Sequence, residues 1–299
     1  MKIVIVQHRN DFEGGKRAYF IELIADYWRG SGHEVIFING LHENITADVA
    51  LLHVNLSIVP DEYLKYAKRF PIVLNQNIHD IRKRQISRML IHSKDHFEGP
   101  VIVKTDLNSA GYPEYMFLNR PIPYMRTPKN YWRSIVRNGT KLLKKLKFIE
   151  QSKGSLKNSL YRGTFEIFKN IHSVPLHIWE NEDWIVEKFL PEMERSRFVV
   201  RNAYFLGKRM TCFKNLSIDP IIKDDAEEGT SEIIPIDERV IQYRDYLRLD
   251  YGKIDYVMHN DVPIILDVAK TMGGAFGHEA AKYLAPGIDD YFVHQKKFA

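Results

Sequence analysis

Apolar positions recur along this chain with two different periods. KIVIV (Lys2 to Val6) is an unbroken apolar run of strand type, residues 17 to 29 carry helical spacing through Tyr19, Phe20, Leu23, Ile24 and Tyr27, and EVIFI (Glu34 to Ile38) is a second strand-like run. Together they predict a βαβ unit. Apolar segments at Val49 to Val54 and Ile72 to Asn75, with a helix-like stretch from Asp61 to Arg69 between them, extend it into a small parallel sheet. Arg82 to His92 reads as a short basic helix, and GPVIVKT (Gly99 to Thr105) as a buried strand that ends in lysine.

The pattern changes in the second half. Asn130 to Phe148 places Trp132, Ile135, Val136, Leu142, Leu143 and Leu146 between basic residues, as an amphipathic helix or helix pair would, and KGSLKNS (Lys153 to Ser159) follows as a loop. Strand-like runs then come in series: residues 184 to 190, 197 to 206, 209 to 215, 253 to 259 and 262 to 268. Turn signals at Leu206-Gly207-Lys208 and His259-Asn260-Asp261 predict antiparallel hairpins, so this half is of α+β type after an α/β start. His278 to Leu284 predicts a last helix.

Composition narrows the class. With 299 residues, 44% hydrophobic and 12% aromatic, the chain can bury a sizeable core in two or three lobes. No apolar run reaches the length of a membrane span and MKIVIVQH lacks the layout of a signal peptide, which predicts a soluble cytoplasmic protein without membrane partners. Cys212 is the sole cysteine, which excludes an intramolecular disulfide and a cysteine zinc cluster, and its apolar neighbours predict a buried thiol. His172, His177, His259 and His278 show no metal-ligand spacing. The net charge of +5 is modest and concentrated between Lys129 and Lys157, where Glu150 is the lone acid; a local anion site is favoured over nucleic acid.

Three places suggest chemistry. A lysine closing a buried strand before a Ser/Gly turn sets an ammonium and backbone N–H groups around a phosphate, and Lys104 with Ser109, Ala110 and Gly111 has that order. Alone, it is also the order of an ordinary exposed strand-end lysine. WIVEKFLPE places Glu187 inside an apolar edge strand and Glu192 past Leu190-Pro191, where the chain must turn. Such a strand offers backbone groups to an adenine edge and a carboxylate to a ribose. In GKIDYVMHNDVPIILDVAK, Asp255 and Asp267 stand on neighbouring strands of one hairpin, an unfavourable like-charge pair unless a cation or base lies between.

In this order the residues resemble the ATP-grasp superfamily, over roughly residues 80 to 285, behind a βαβ part similar to the family's N-terminal domain. The resemblance implies an N-terminal α/β domain at 1–80, an ATP-grasp region with two α+β lobes at 81–285 and a tail at 286–299. It further implies ATP and Mg²⁺ as cofactors. Lys104 would contact the α-phosphate, Ser109 to Gly111 would form a flexible phosphate loop, Glu187 with the Lys188 and Phe189 backbone would hold adenine, and Glu192 or Glu194 would take the ribose. Lys253 would lie near the γ-phosphate, Asp255 and Asp267 would bind Mg²⁺, and Arg201 would contact phosphate or substrate. The implied activity is that of a carboxylate-amine ligase, which phosphorylates a small-molecule or peptide carboxylate for attack by an amine or other nucleophile; the family's habit implies a homodimer.

One departure stands out. Where the family's last metal motif reads Glu-x-Asn, this chain reads Asp267-Val268-Ala269, which shortens the acid and loses an amide ligand. Lys270 then either substitutes for metal charge or is a solvated strand-end lysine. The departure favours a second reading, a nucleotide-binding protein of this shape without catalysis. A third comes from FEGGKRAYFIELIADYWRGSGHEVIFI, which also resembles the opening of GT-B glycosyltransferases and predicts a second nucleotide-sugar-binding Rossmann half. Substrate contacts are expected at Gly14 to Arg17 and at Asn75 to His79.

Overall fold

The computed structural model describes residues 1–11, 19–120, 165–221, 231–273 and 277–292. The expected amphipathic helix at 130–148, the loop at 153–159 and the Gly14 to Arg17 loop lie outside them. The chain divides into two compact units, one formed by residues 1–81 with 191–299 and the other by residues 82–190.

In the first unit, β1 (Lys2–Gln7), β2 (Glu34–Asn39), β3 (Val49–Leu52) and β4 (Ile72–Leu74) form a parallel sheet in the order β2-β1-β3-β4. Its interior strands are apolar on both faces: Ile3, Val4, Ile5 and Val6 and Val49 to Leu52 are almost completely buried, as a covered parallel sheet requires. Helix α1 (Phe20–Gly30) supplies the crossover and buries Phe20, Ile21, Leu23, Ile24, Ala25 and Trp28. Helix α2 (Asp61–Ala67) precedes β4.

The same unit holds the antiparallel sheet. Strands β8 (Glu192–Glu194), β9 (Arg197–Leu206), β10 (Arg209–Ser217), β11 (Glu232–Ile234), β12 (Tyr251–His259) and β13 (Val262–Ala269) are ordered β11-β10-β9-β12-β13, with β8 paired to β9. Both predicted hairpins form. Gly207 (φ 57°) turns β9 into β10, and Asn260 and Asp261 (φ 49° and 60°) join β12 to β13, a two-residue turn whose left-handed backbone suits the strand twist. The two sheets share one core, in which Tyr204, Leu206 and Tyr251 meet Ile3, Ile5, Phe20 and Trp28. The last helix (His278–Leu284) and residues 285–292 close it, with Ile288 at 1% exposure and the Trp28 Nε1 donating to the Ala285 carbonyl at 2.8 Å.

In the second unit, β5 (Val101–Thr105) lies between β6 (Phe165–Phe168) and β7 (Trp184–Lys188) in an antiparallel sheet. The expected basic helix at 82–92 shrinks to one turn, Lys83–Ile86. Beyond it the backbone is extended, because residues 89–91 satisfy the open edge of β7: Ile91 N–H donates to the Val186 carbonyl and Lys188 N–H to the Met89 carbonyl, both at 2.9 Å. Short-range spacing carries no sign of that pairing.

Among the described residues the only parallel sheet is that of β1 to β4, and the C-terminal half is antiparallel. The second Rossmann half required by the glycosyltransferase reading is therefore not found there.

Candidate functional site

In the second unit, Lys104 and Glu187 sit on neighbouring strands, and their side chains form an ion pair of 2.6 Å at 6% and 3% side-chain exposure. The Glu187 Oε1 is shielded from solvent and has no hydrogen-bond partner among the described residues. A buried carboxyl oxygen without a hydrogen-bond partner is costly, which makes Glu187 a candidate contact for a bound group. Glu187 lies on the β7 edge as expected, but the backbone donors after it are spent: Lys188 N–H goes to Met89 and Phe189 N–H to the Pro100 carbonyl. Leu190 N–H, the next donor along, has no partner among the described residues.

Ser109, Ala110 and Gly111 follow β5 as three successive left-handed residues, with φ of 47°, 62° and 76°. For the two residues with a Cβ this conformation costs about 1–2 kcal/mol each. The turn is compact: Asn108 Oδ1 accepts the Ser109 N–H at 2.8 Å, and the Ser109 carbonyl accepts the Tyr112 N–H. Just ahead of it, Arg84 fixes Asp106 through its Nε at 2.7 Å and its N–H at 2.9 Å, and Lys83 N–H donates to the Asp106 carbonyl. Sequence reasoning missed this brace of the lysine strand, since Arg84 fell inside a helix expectation.

In the first unit, register and alternation decide which candidates meet. Asp255 stands directly opposite Asp267 on β13 and Asn202 on β9, so all three side chains share one face. Lys253, two residues earlier, shares it too and places its Nζ 2.9 Å from Asp255 Oδ2, while Asn202 Nδ2 donates to Asp255 Oδ1 at 2.5 Å. Asn215 on β10 extends the row by donating to Asn202 Oδ1 at 2.6 Å. Burial pushes the Asp255 carboxyl up, the Lys253 ammonium draws it down, and the Asp267 carboxylate pushes it up again. Asn202 and Asn215 were absent from the sequence expectations, although an asparagine amid strand formers is itself a signal.

Arg201 pairs with Tyr256 and Lys214 in register and therefore occupies the opposite face from Asp255. It forms a bidentate pair with Glu192, at 3.0 and 2.6 Å, and Glu192 Oε2 also accepts the Met258 N–H at 2.7 Å. Glu194 pairs with Lys214 at 3.0 Å. The sheet thus separates Arg201 and Glu192 from Lys253, Asp255 and Asp267.

Lys270 is not solvated: it is 1% exposed, with its Nζ 3.5 Å from the Ser57 carbonyl, while Lys253 is the lysine paired with Asp255. Asn75, expected among substrate contacts, instead uses its whole amide on the protein, donating to the Tyr251 carbonyl at 2.8 Å and accepting the Asp250 and Tyr251 N–H groups at 3.0 Å.

Asp255 and Asp267 offer hard carboxyl oxygens of the kind a magnesium ion takes, whereas the Asn202 amide turns its nitrogen to Asp255. No group of three His, Cys, Asp or Glu side chains disposed for a metal occurs among the described residues.

No protein-family model matches the sequence, and no curated protein matches it. In fold the chain is similar to several solved structures. A RimK domain ATP-grasp protein from Sphaerobacter thermophilus aligns with 9% identity over 98% of this chain and 100% of its own, with a TM-score of 0.49. D-alanine–D-alanine ligase from Bacillus anthracis, complexed with ATP, aligns with 10% identity over 100% and 99% of the two chains, with a TM-score of 0.44. The ATP-grasp ligase PsnB, complexed with a minimal precursor, aligns with 12% identity over 98% of each, with a TM-score of 0.46.

Proposed function

We propose that this chain binds ATP and uses it to activate a carboxylate for attack by an amine or another nucleophile. The observation that carries the reading is the buried Lys104–Glu187 pair, whose Glu187 Oε1 is unpartnered among the described residues, as is the Leu190 N–H three residues on. A carboxylate oxygen and a backbone donor at a strand end match the exocyclic amine and ring nitrogen of adenine, and the ammonium supplies charge for a phosphate. Glu192 and Arg201 contact ribose or phosphate in this reading only by giving up part of their mutual pair.

The reaction balances without a side-chain nucleophile. A carboxylate oxygen of the substrate bonds to the γ-phosphorus as the bond to the β,γ-bridging oxygen breaks, and ADP leaves. The nucleophile then bonds to the acyl carbon, phosphate departs with the carbon–oxygen electron pair, and the proton of the nucleophile passes to solvent. Lys104 would orient and neutralise phosphate oxygens, and Asp255 and Asp267 are the residues that would hold a magnesium ion, whose charge would neutralise phosphate further.

A second reading, nucleotide binding without turnover, draws support from Asp255, whose two oxygens are already held by Lys253 and Asn202. Thermal melting with and without ATP tests the shared core. Saturation at about a hundred times the dissociation constant adds about 2.7 kcal/mol, and Lys104→Ala or Glu187→Ala is expected to abolish the rise. A rise with UDP-sugars and none with ATP would overturn both readings. ADP release across a panel of amino acids and short peptides then separates the ligase from the non-catalytic binder.

A further inference from the structure

Position 269 on β13 holds alanine, which presents no oxygen, and it stands directly opposite Lys253. On the other side of Asp255 the situation is reversed. Asn202 is its direct cross-strand partner on β9, and the amide is already in contact with the carboxylate. Across three adjacent strands the face therefore reads Asn202, Asp255, Asp267, a row of oxygen-bearing side chains, with Asn215 on β10 reaching Asn202 from a diagonal position. We propose that Asn202 supplies from β9 the amide-oxygen ligand that position 269 lacks, so that Asn202, Asp255 and Asp267 hold one divalent cation of the magnesium class.

The inference rests on the nucleotide-binding reading for the identity of the cation, but its geometry is that of the sheet alone. Opposed residues in an antiparallel pair have Cβ atoms roughly 5 Å apart, so three in a row present oxygens to a common point above the middle residue. The middle residue is Asp255, which faces Asn202 on one side and Asp267 on the other. Without a cation the Asn202 NH₂ group serves that carboxylate, and its carbonyl oxygen takes the Asn215 amide. Turning the Asn202 amide by half a rotation brings Oδ1 to the carboxylate side at no cost in volume, because the two ends of an amide are nearly isosteric. Asn215 answers by turning its own amide, so the pair acts as a relay that is a donor toward Asp255 when the site lacks a cation and an acceptor toward a cation when it fills. Lys253 stays on Oδ2, away from the Asn202 side.

The test is a manganese titration followed by electron paramagnetic resonance, run on the full chain with no nucleotide and repeated with a non-hydrolysable ATP analogue. Asn202→Ala is expected to weaken Mn²⁺ binding at least about tenfold, a loss of the size seen when a group supporting a metal is removed. Adding Ala269→Asn to that variant is expected to restore it. Asn202→Leu keeps the side-chain volume and serves if the alanine variant melts early; it is expected to show the same loss. Wild-type affinity in Asn202→Leu, or no rescue by Ala269→Asn, overturns the proposal, as does absence of Mn²⁺ binding by the wild-type chain in both titrations. Because the first titration contains no nucleotide, failure of the cation site and failure of ATP binding are read separately.

Discussion

At the scale of single residues, two buried polar side chains near the ends of the parallel strands behave in opposite ways. Asn75 follows β4 with φ of 60°, a left-handed backbone that asparagine tolerates well, and from there it closes three hydrogen bonds to residues 250 and 251. Asn75→Ala leaves those buried groups unsatisfied and strains the backbone, so urea unfolding is expected to show a loss of roughly 2–4 kcal/mol. His53 makes no such use of its polarity: it is 0% exposed, and neither ring nitrogen has a hydrogen-bond partner among the described residues. Burial pushes its pKa from 6.5 down to about 3. Between those values the unfolded chain binds a proton that the folded chain refuses, so this residue makes stability fall as pH drops, by up to about 1.4 kcal/mol per pH unit. His53→Leu is expected to raise stability at about pH 5 by more than at about pH 7, measured by the urea midpoint; an equal change at both would show that the imidazole takes up its proton in the folded chain as readily as in the unfolded one.

At the scale of elements, the closing segment shows how little free space the hairpin turn leaves. Gly207 and Gly287 approach so closely that a Cβ on Gly287 would come within 1.9 Å of the Leu206 carbonyl oxygen. Backbone cannot move aside as a flexible side-chain tip does. Gly287→Ala is therefore expected to cost about 1–3 kcal/mol and to loosen residues 285–292 from the core they share with Trp28, visible as faster amide exchange there. The same close contact argues that this stretch belongs to the body of its unit, although its sequence reads as the start of a tail.

At the scale of the whole molecule, the sole cysteine reports on integrity. Cys212 is fully buried, and burial pushes its thiol up to about 11, with Tyr256 at 3.7 Å as its polar neighbour. A thiol reagent at about pH 8 is expected to leave the folded protein unmodified and to label one site per chain in denaturant. Labelling in native buffer would reveal sub-global opening of the antiparallel sheet. Among the described residues no helix is long and apolar enough to cross a membrane.

The local pattern by itself determined the βαβ start, the hairpins at Gly207 and Asn260-Asp261 and the buried thiol, because side-chain period and turn chemistry act over a few residues, whereas a register shift between Asp255 and Tyr256 is what sets Asp267 rather than Leu266 opposite Asp255. It also suggested that Lys104 and Glu187 mattered without indicating that they pair. Strand order decided the rest. Only the placement of β9 beside β12 sets Asn202 against Asp255 and turns Arg201 and Glu192 to the other face, and only the packing after β13 buries Lys270 beside Ser57. Residues 89–91 give up a helical prospect because an unpaired strand edge offers hydrogen bonds that no neighbour in sequence supplies. These are contacts between distant segments, fixed by which surfaces are buried together, and period and spacing along a single chain carry no record of them.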